Sequence, residues 1–271
     1  MGNGKVMIEQ AQDFRDESDA LYALLEPLDD AQWRRPTQFK GWTANDIVAH
    51  LHWGNFAADL ALRDAAAFGE LARRIMAGRH AGSASRVAEA GSEGLSGRAL
   101  LARWREYYGP MAERFADADP RRRVPWFGPD MSVRSSITAR LMETWAHAQA
   151  LYDLLGKTRE DTDRIKNIAV LGINTFGWTF ANRGLPVPAD KPHVRLTAPS
   201  GALWEWGAAD SANLIEGLAV EFCQVVAQTR NVADTGLRVV GATAAQWMAI
   251  AQCFAGPPHD PPAPGTRFRQ R

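Results

Sequence analysis

The stretch GWTANDIVAHLHWGNF, residues 41–56, decides how the first half of the chain folds. Thr43 followed three residues later by Asp46 is the pattern of a capping box: the hydroxyl takes an N–H of the first helical turn, and the carboxylate reaches back to the N–H of the cap residue. Trp42 and Ile47 can pack across that cap. A helix therefore starts here, and it carries two histidines, His50 and His52. Residues in an α-helix advance by about 100° each, so a pair two apart points in nearly opposite directions and cannot close on one ion. At most one of the two is a ligand, and its partners must lie elsewhere.

Working outward, the helix at 43 runs to about residue 77, with a weak point at Phe68-Gly69. Before it, Leu21, Leu24 and Leu25 mark a first helix over 6–27. After it, GRHAGSASRVAEAGSEGLSG (78–97) is rich in Gly and Ser and reads as a long connection in which His80 is solvated. A third helix spans 97–117, with Leu100, Leu101, Trp104, Tyr107, Tyr108, Met111 and Phe115 at three-to-four spacing. The turn-rich loop that follows carries Arg121-Arg122-Arg123, which reads as a solvated face. A fourth helix spans 132–155 on Val133, Ile137, Leu141, Ala148 and Leu151, and stops at Gly156. Four such helices suit an all-α four-helix bundle over residues 1–160.

Beyond 160 the pattern changes. A helix over 163–182 precedes HVRLTAPSGALWEWG (193–207), which alternates like a strand on either side of a Pro-Ser-Gly turn and predicts a hairpin. A helix over 211–229, a short strand at GLRVV, and a last helix capped by Thr243 and Gln246 and ending at Gly256 complete a smaller α+β domain over 161–256. The Pro-rich residues 257–271 are expected to be disordered.

Composition limits the function. The chain has 271 residues, 46% hydrophobic and 23% charged, with 31 basic and 31 acidic side chains. A balanced charge draws the chain neither to nucleic acid nor to an anionic membrane, and favours a small-molecule ligand. The first residues lack an apolar signal core, and no run of about 18 residues is apolar enough to span a bilayer, so a cytoplasmic location is expected. Cys223 and Cys253 lie in apolar helical contexts without CxxC spacing, as buried thiols do. Ten tryptophans are compatible with a lined cavity. Oligomeric state is not legible.

The fourth helix contains METWAHAQAL (142–151), in which Glu143 and His147 are four apart and point the same way. A carboxylate and an imidazole at that spacing can close on one divalent ion, and bundle cores build metal sites from such pairs on facing helices. With one histidine of the second helix they would make a three-ligand set with an open position, the arrangement of a catalytic zinc. The same pair could equally be a surface interaction, with Arg140, three residues before Glu143, as its ion-pair partner.

GWTANDIVAHL together with ETWAH resembles the metal-binding domain of the mycothiol-dependent maleylpyruvate isomerase family, within the DinB-like group of four-helix bundles, over about residues 8–156. The resemblance implies that His50, Glu143 and His147 ligate a divalent metal, and His52 does not fall on a ligand position. Residues 221–256 look like the C-terminal segment of uncharacterised actinobacterial relatives, and are similar to a segment found beside wybutosine-synthesising enzymes. The implied metal is Zn²⁺, with Ni²⁺ or Fe²⁺ also suited to two imidazoles and a carboxylate, and the implied cosubstrate is a mycothiol-like low-molecular-weight thiol. Thiol transfer or isomerisation of a small substrate is then expected, with Trp145 and Trp53 packed around the site and Arg230 a candidate carboxylate contact. A metal-dependent hydrolase using bound water and a non-enzymatic binding protein are the competing readings.

Overall fold

Thr43 does cap the second long helix, α3 (Ala44–Arg63): its Oγ1 accepts the Asp46 N–H, and Asp46 Oδ2 accepts the Thr43 N–H at 2.8 Å. The structure is a computed structural model that describes residues 8–77 and 90–270. It separates into two units, Met1–Ala148 and Gln149–Arg271.

In the first unit, α1 (Glu9–Leu25) buries Ala11, Phe14, Ser18, Leu21, Leu24 and Leu25 at helical spacing. A short α2 (Asp30–Trp33), capped by Asp29 and Gln32, leads towards α3. The expected break near Phe68-Gly69 falls instead at Asp64, whose backbone leaves helical geometry and whose Oδ1 accepts the Ala67 N–H at 2.9 Å, opening α4 (Ala65–Ala77) as a separate helix. Residues 78–89, with His80, lie outside the described residues. Helix α5 (Gly97–Asp117) matches its expected span and packs against both α1 and α3. Strands β1 (Arg123–Val124) and β2 (Met131–Ser132) pair antiparallel within what read as a loop. Helix α6 (Val133–Leu154) follows directly, with Val133, Ile137, Leu141 and Ala148 fully buried. The long helices α1, α3, α5 and α6 make the bundle. Fully buried Asp59 of α3 ties it to α5, accepting from Arg114 Nε at 2.8 Å, Arg114 Nη2 at 2.9 Å and Tyr107 Oη at 3.0 Å.

The division between units comes inside α6, a dozen residues before the expected boundary near 160. The last turn of α6 explains this. Its Asp153 pairs with Arg230 at 2.6 and 2.8 Å and accepts the Gln270 N–H on its carbonyl at 2.8 Å, so that turn belongs with the second unit. Gly156, at φ +65°, ends the helix as expected.

The second unit is α+β. A 3₁₀ turn (Asp163–Ile165), α7 (Lys166–Asn174) and α8 (Phe176–Asn182) take the place of one helix over 163–182. The predicted hairpin forms from β3 (His193–Thr197) and β4 (Leu203–Trp206), with Val194 opposite Trp206 and Thr197 opposite Leu203. The expected helix over 211–229 begins as a strand, β5 (Leu214–Leu218), before α9 (Ala219–Val226). Leu214, Leu218 and Phe222 have helical spacing, but β5 gains backbone partners on both sides, parallel β3 and antiparallel β6 (Arg238–Val240), in the order β4-β3-β5-β6. Tertiary pairing thus overrides the local pattern, and Leu218 is left half exposed. Helix α10 (Ala242–Ile250) is not capped by Thr243. Asn213 Oδ1 instead accepts the N–H groups of Thr243 and Ala244 at 2.9 and 3.2 Å, and the helix stops short of Gly256. Cys223 and Cys253 are buried, as expected.

The Pro-rich tail is not disordered through residue 270. His259 and Pro262 carbonyls accept from the Gln228 and Asn231 side chains at 2.7 and 2.8 Å, Arg183 pairs with Asp260 at 2.8 Å, and Arg267 donates to the Gln228 carbonyl at 2.6 Å. Composition accounts for its lack of helix and strand, but partners far back in the chain hold it. Among the described residues no helix is long and apolar enough to cross a membrane.

Candidate metal centre

Helices α3 and α6 place His50, Glu143 and His147 together. His50 Nε2 lies 3.0 Å and His147 Nε2 3.3 Å from the same oxygen, Glu143 Oε2, and one ligand atom from each residue lies within 4.8 Å of the others. The i, i+4 spacing on α6 accounts for the Glu143–His147 approach. The capping box sets where α3 starts and so which way His50 points, and the packing of α3 against α6 brings it to the pair. The side chains are 32%, 24% and 12% exposed in the order His50, Glu143, His147, so the cluster is lined by protein yet open to a small ligand.

Electrostatics suit a cation. Burial raises the Glu143 carboxyl, but hydrogen bonds from His147 and His50 and their charges outweigh it and hold the group well below its ordinary value. Burial depresses His147, partly opposed by its bond to Glu143, which favours the uncharged imidazole that a metal would need. Two imidazole nitrogens and one carboxylate oxygen form a donor set that fits Zn²⁺ and its first-row neighbours.

His52 turns away as its position on the helix requires. It is fully buried, its Nε2 lies 3.0 Å from the Ala90 carbonyl, and its ring meets Tyr107 edge-on. Arg140 does not form an ion pair with Glu143. Its side chain is 95% buried, Nε donates to Asn55 Oδ1 at 3.2 Å, and the guanidinium lies flat against α3 where Gly54 has no side chain. Arg230 sits in the second unit, its two terminal nitrogens engaged by Asp153. Trp53 packs with Phe56 and Phe127, and Trp145 is fully buried. Phe39 and Trp42 supply ring contacts to the histidines that the sequence did not single out. The Lys40-Gly41 pair between them, a turn signal, was the available hint.

The family model described as the mycothiol maleylpyruvate isomerase N-terminal domain matches residues 14–152 of this chain. Two uncharacterized proteins of Mycobacterium tuberculosis, from strains CDC 1551 / Oshkosh and ATCC 25618 / H37Rv, are each 40% identical over 248 residues, covering 91% of this chain and 95% of theirs. Among solved structures, a mycothiol-dependent maleylpyruvate isomerase superposes with a TM-score of 0.56 at 15% identity, covering 85% of this chain and 91% of that one. A histidine-to-alanine variant of that isomerase superposes with a TM-score of 0.55. At that identity the likeness is one of fold, whereas the family match spans the bundle, from within α1 to the last turn of α6. The chain belongs to the family defined by the N-terminal domain of mycothiol maleylpyruvate isomerase.

Proposed function

We propose that His50, Glu143 and His147 hold a divalent metal ion, most simply Zn²⁺, and that the protein uses a low-molecular-weight thiol of the mycothiol type to isomerise, or transfer the thiol to, a small molecule. The observation that carries this reading is the convergence of two imidazole Nε2 atoms on one carboxylate oxygen, from two helices, with His50 93 residues before Glu143 in the chain. Three protein donors would leave one coordination position open, as catalytic zinc sites do. A bound ion would supply Lewis acidity, holding a coordinating thiol as its thiolate at neutral pH. The chain's own part is to present two imidazole Nε2 atoms, to keep Glu143 ionised, and to wall the site with Phe39 and Trp42 so that bulk water is excluded from one side.

Elemental analysis of freshly purified protein should find one metal equivalent, lost in His147→Ala while the helical circular dichroism is kept. A metal-free wild-type protein would refute the site. Turnover of maleylpyruvate and of electrophilic thiol acceptors should require both the metal and mycothiol. A rate that ignores every thiol would leave metal-dependent hydrolysis in its place.

A further inference from the structure

The turn at residues 37–42 carries an inference that rests on the metal reading above. Trp42 lies nearly parallel to His147, with ring centroids 5.6 Å apart and planes 11° apart, and Phe39 meets the same imidazole edge-on at 5.0 Å. Trp42 also reaches His50 at 5.4 Å, and the two imidazoles themselves are 4.6 Å apart. One indole thus touches both histidines of the candidate ligand set. Phe39 and Trp42 brace each other at right angles, 5.2 Å apart.

The turn that carries them is fixed from both ends. Thr37 N–H donates to the Trp42 carbonyl at 2.8 Å, Trp42 N–H to the Phe39 carbonyl at 2.9 Å, and Phe39 N–H to Thr37 Oγ1 at 3.2 Å. Lys40 and Gly41 are both left-handed, at φ 53° and 70°, and reverse the chain so that residues 39 and 42 meet. The next residue, Thr43, is the N-cap of α3. Rotation of the indole is therefore limited by a closed turn on one side and a capped helix on the other.

An imidazole that ligates through one nitrogen needs its ring plane held, a task that the groups packed behind the ligand perform and whose loss costs metal affinity. The geometry points to Trp42, braced by Phe39, as a positioning residue: it fixes the planes of His147 and His50 so that their Nε2 atoms converge, and its face shields that flank from water. Stacking between aromatic rings favours this arrangement beyond what burial alone supplies.

The test uses the full chain, stripped of metal and titrated with Co²⁺, whose visible absorption reports coordination geometry. Trp42→Leu should bind Co²⁺ about tenfold or more weakly and with an altered band, whereas Trp42→Phe, which keeps a stacked ring, should stay within about threefold of wild type. Melting of the stripped variants separates folding from positioning, because a purely structural role lowers the melting temperature but leaves the band of the folded protein unchanged. A second measurement does not depend on the leucine variant folding. The emission difference between wild type and Trp42→Phe isolates the Trp42 indole, and it should be quenched by saturating Co²⁺. Unchanged affinity and band in Trp42→Leu, or an unquenched Trp42, overturns the positioning role alone. Failure of wild type to bind Co²⁺ overturns the metal site and this role with it.

Discussion

Replacing Gly54 with alanine tests how α3 and α6 come close enough to share a site. Gly54 lies in the middle of α3, where glycine is unfavourable, so helix propensity alone predicts that Gly54→Ala stabilises the protein by about 1 kcal/mol. The structure predicts the opposite sign. A Cβ built at position 54 would lie 2.5, 2.6 and 2.7 Å from Nη1, Cζ and Nη2 of Arg140, well inside contact distance for three atoms of a buried planar group. The guanidinium must then move. Overpacking of a filled interior costs about 1–3 kcal/mol, and the bond from Arg140 Nε to Asn55 Oδ1, made by a charged donor in a buried setting, is worth about 1.5–3 kcal/mol. Set against the gain in propensity, the expected result is a net loss of about 1.5–5 kcal/mol. Urea unfolding followed by far-ultraviolet circular dichroism would measure it, together with Arg140→Met and the double variant. In the Arg140→Met background the clash is with a flexible, uncharged chain, so Gly54→Ala should become neutral or stabilising by up to about 1 kcal/mol. A single Gly54→Ala variant as stable as wild type, or a cost that persists without Arg140, would show that the guanidinium does not fill the space at Gly54.

Two further outcomes follow from the fold. Tyr108 donates its hydroxyl to Asp19 Oδ1 at 2.6 Å, and burial first, then that bond and the Asp19 charge, raise its ionisation above the ordinary tyrosine value of 10. The folded state therefore keeps this proton more tightly than the unfolded chain. Its contribution is intact below about pH 10 and is lost as the pH rises from there towards the folded value. Equilibrium unfolding measured across pH 9–11.5 should show declining stability, with a shallower decline in Tyr108→Phe; equal slopes would remove Tyr108 as the cause. Truncation after Gly256 should lower the stability of the second unit by about 2 kcal/mol or more, because buried Gln228 and Gln252 lose the tail groups they bind. Thermal melts of the truncated and full chains compare the two, and identical curves would return the tail to the disordered state its composition suggests.

Much of the candidate site was legible before the structure because it rests on local geometry. The Thr43–Asp46 box fixes where α3 begins, and with it which way His50 and His52 point. The four-residue step from Glu143 to His147 needs only helical periodicity. Helices α5 and α6 kept their expected spans because their apolar positions recur at helical spacing over five to six turns. What was missed depends on partners distant in sequence. The strand at Leu214–Leu218 has the spacing of a helix and is decided by β3 and β6 on either side. Helix α10 is capped by Asn213, thirty residues upstream, rather than by its own Thr243. The tail owes its order to Gln228, Asn231 and Arg183, none of which its composition reveals.

The helical bundle, the smaller α+β unit, and the face of α6 that carries Glu143 and His147 follow from caps and periodicity, which act within a few residues. That His50 meets that face, that Arg140 lies against Gly54, and that Phe39 and Trp42 close over the histidines emerge from packing between elements. The difference is one of range. A helix turn is specified by neighbours three and four apart, whereas the fit of a guanidinium into a missing side chain, or of an indole onto an imidazole, exists only after separate helices have packed.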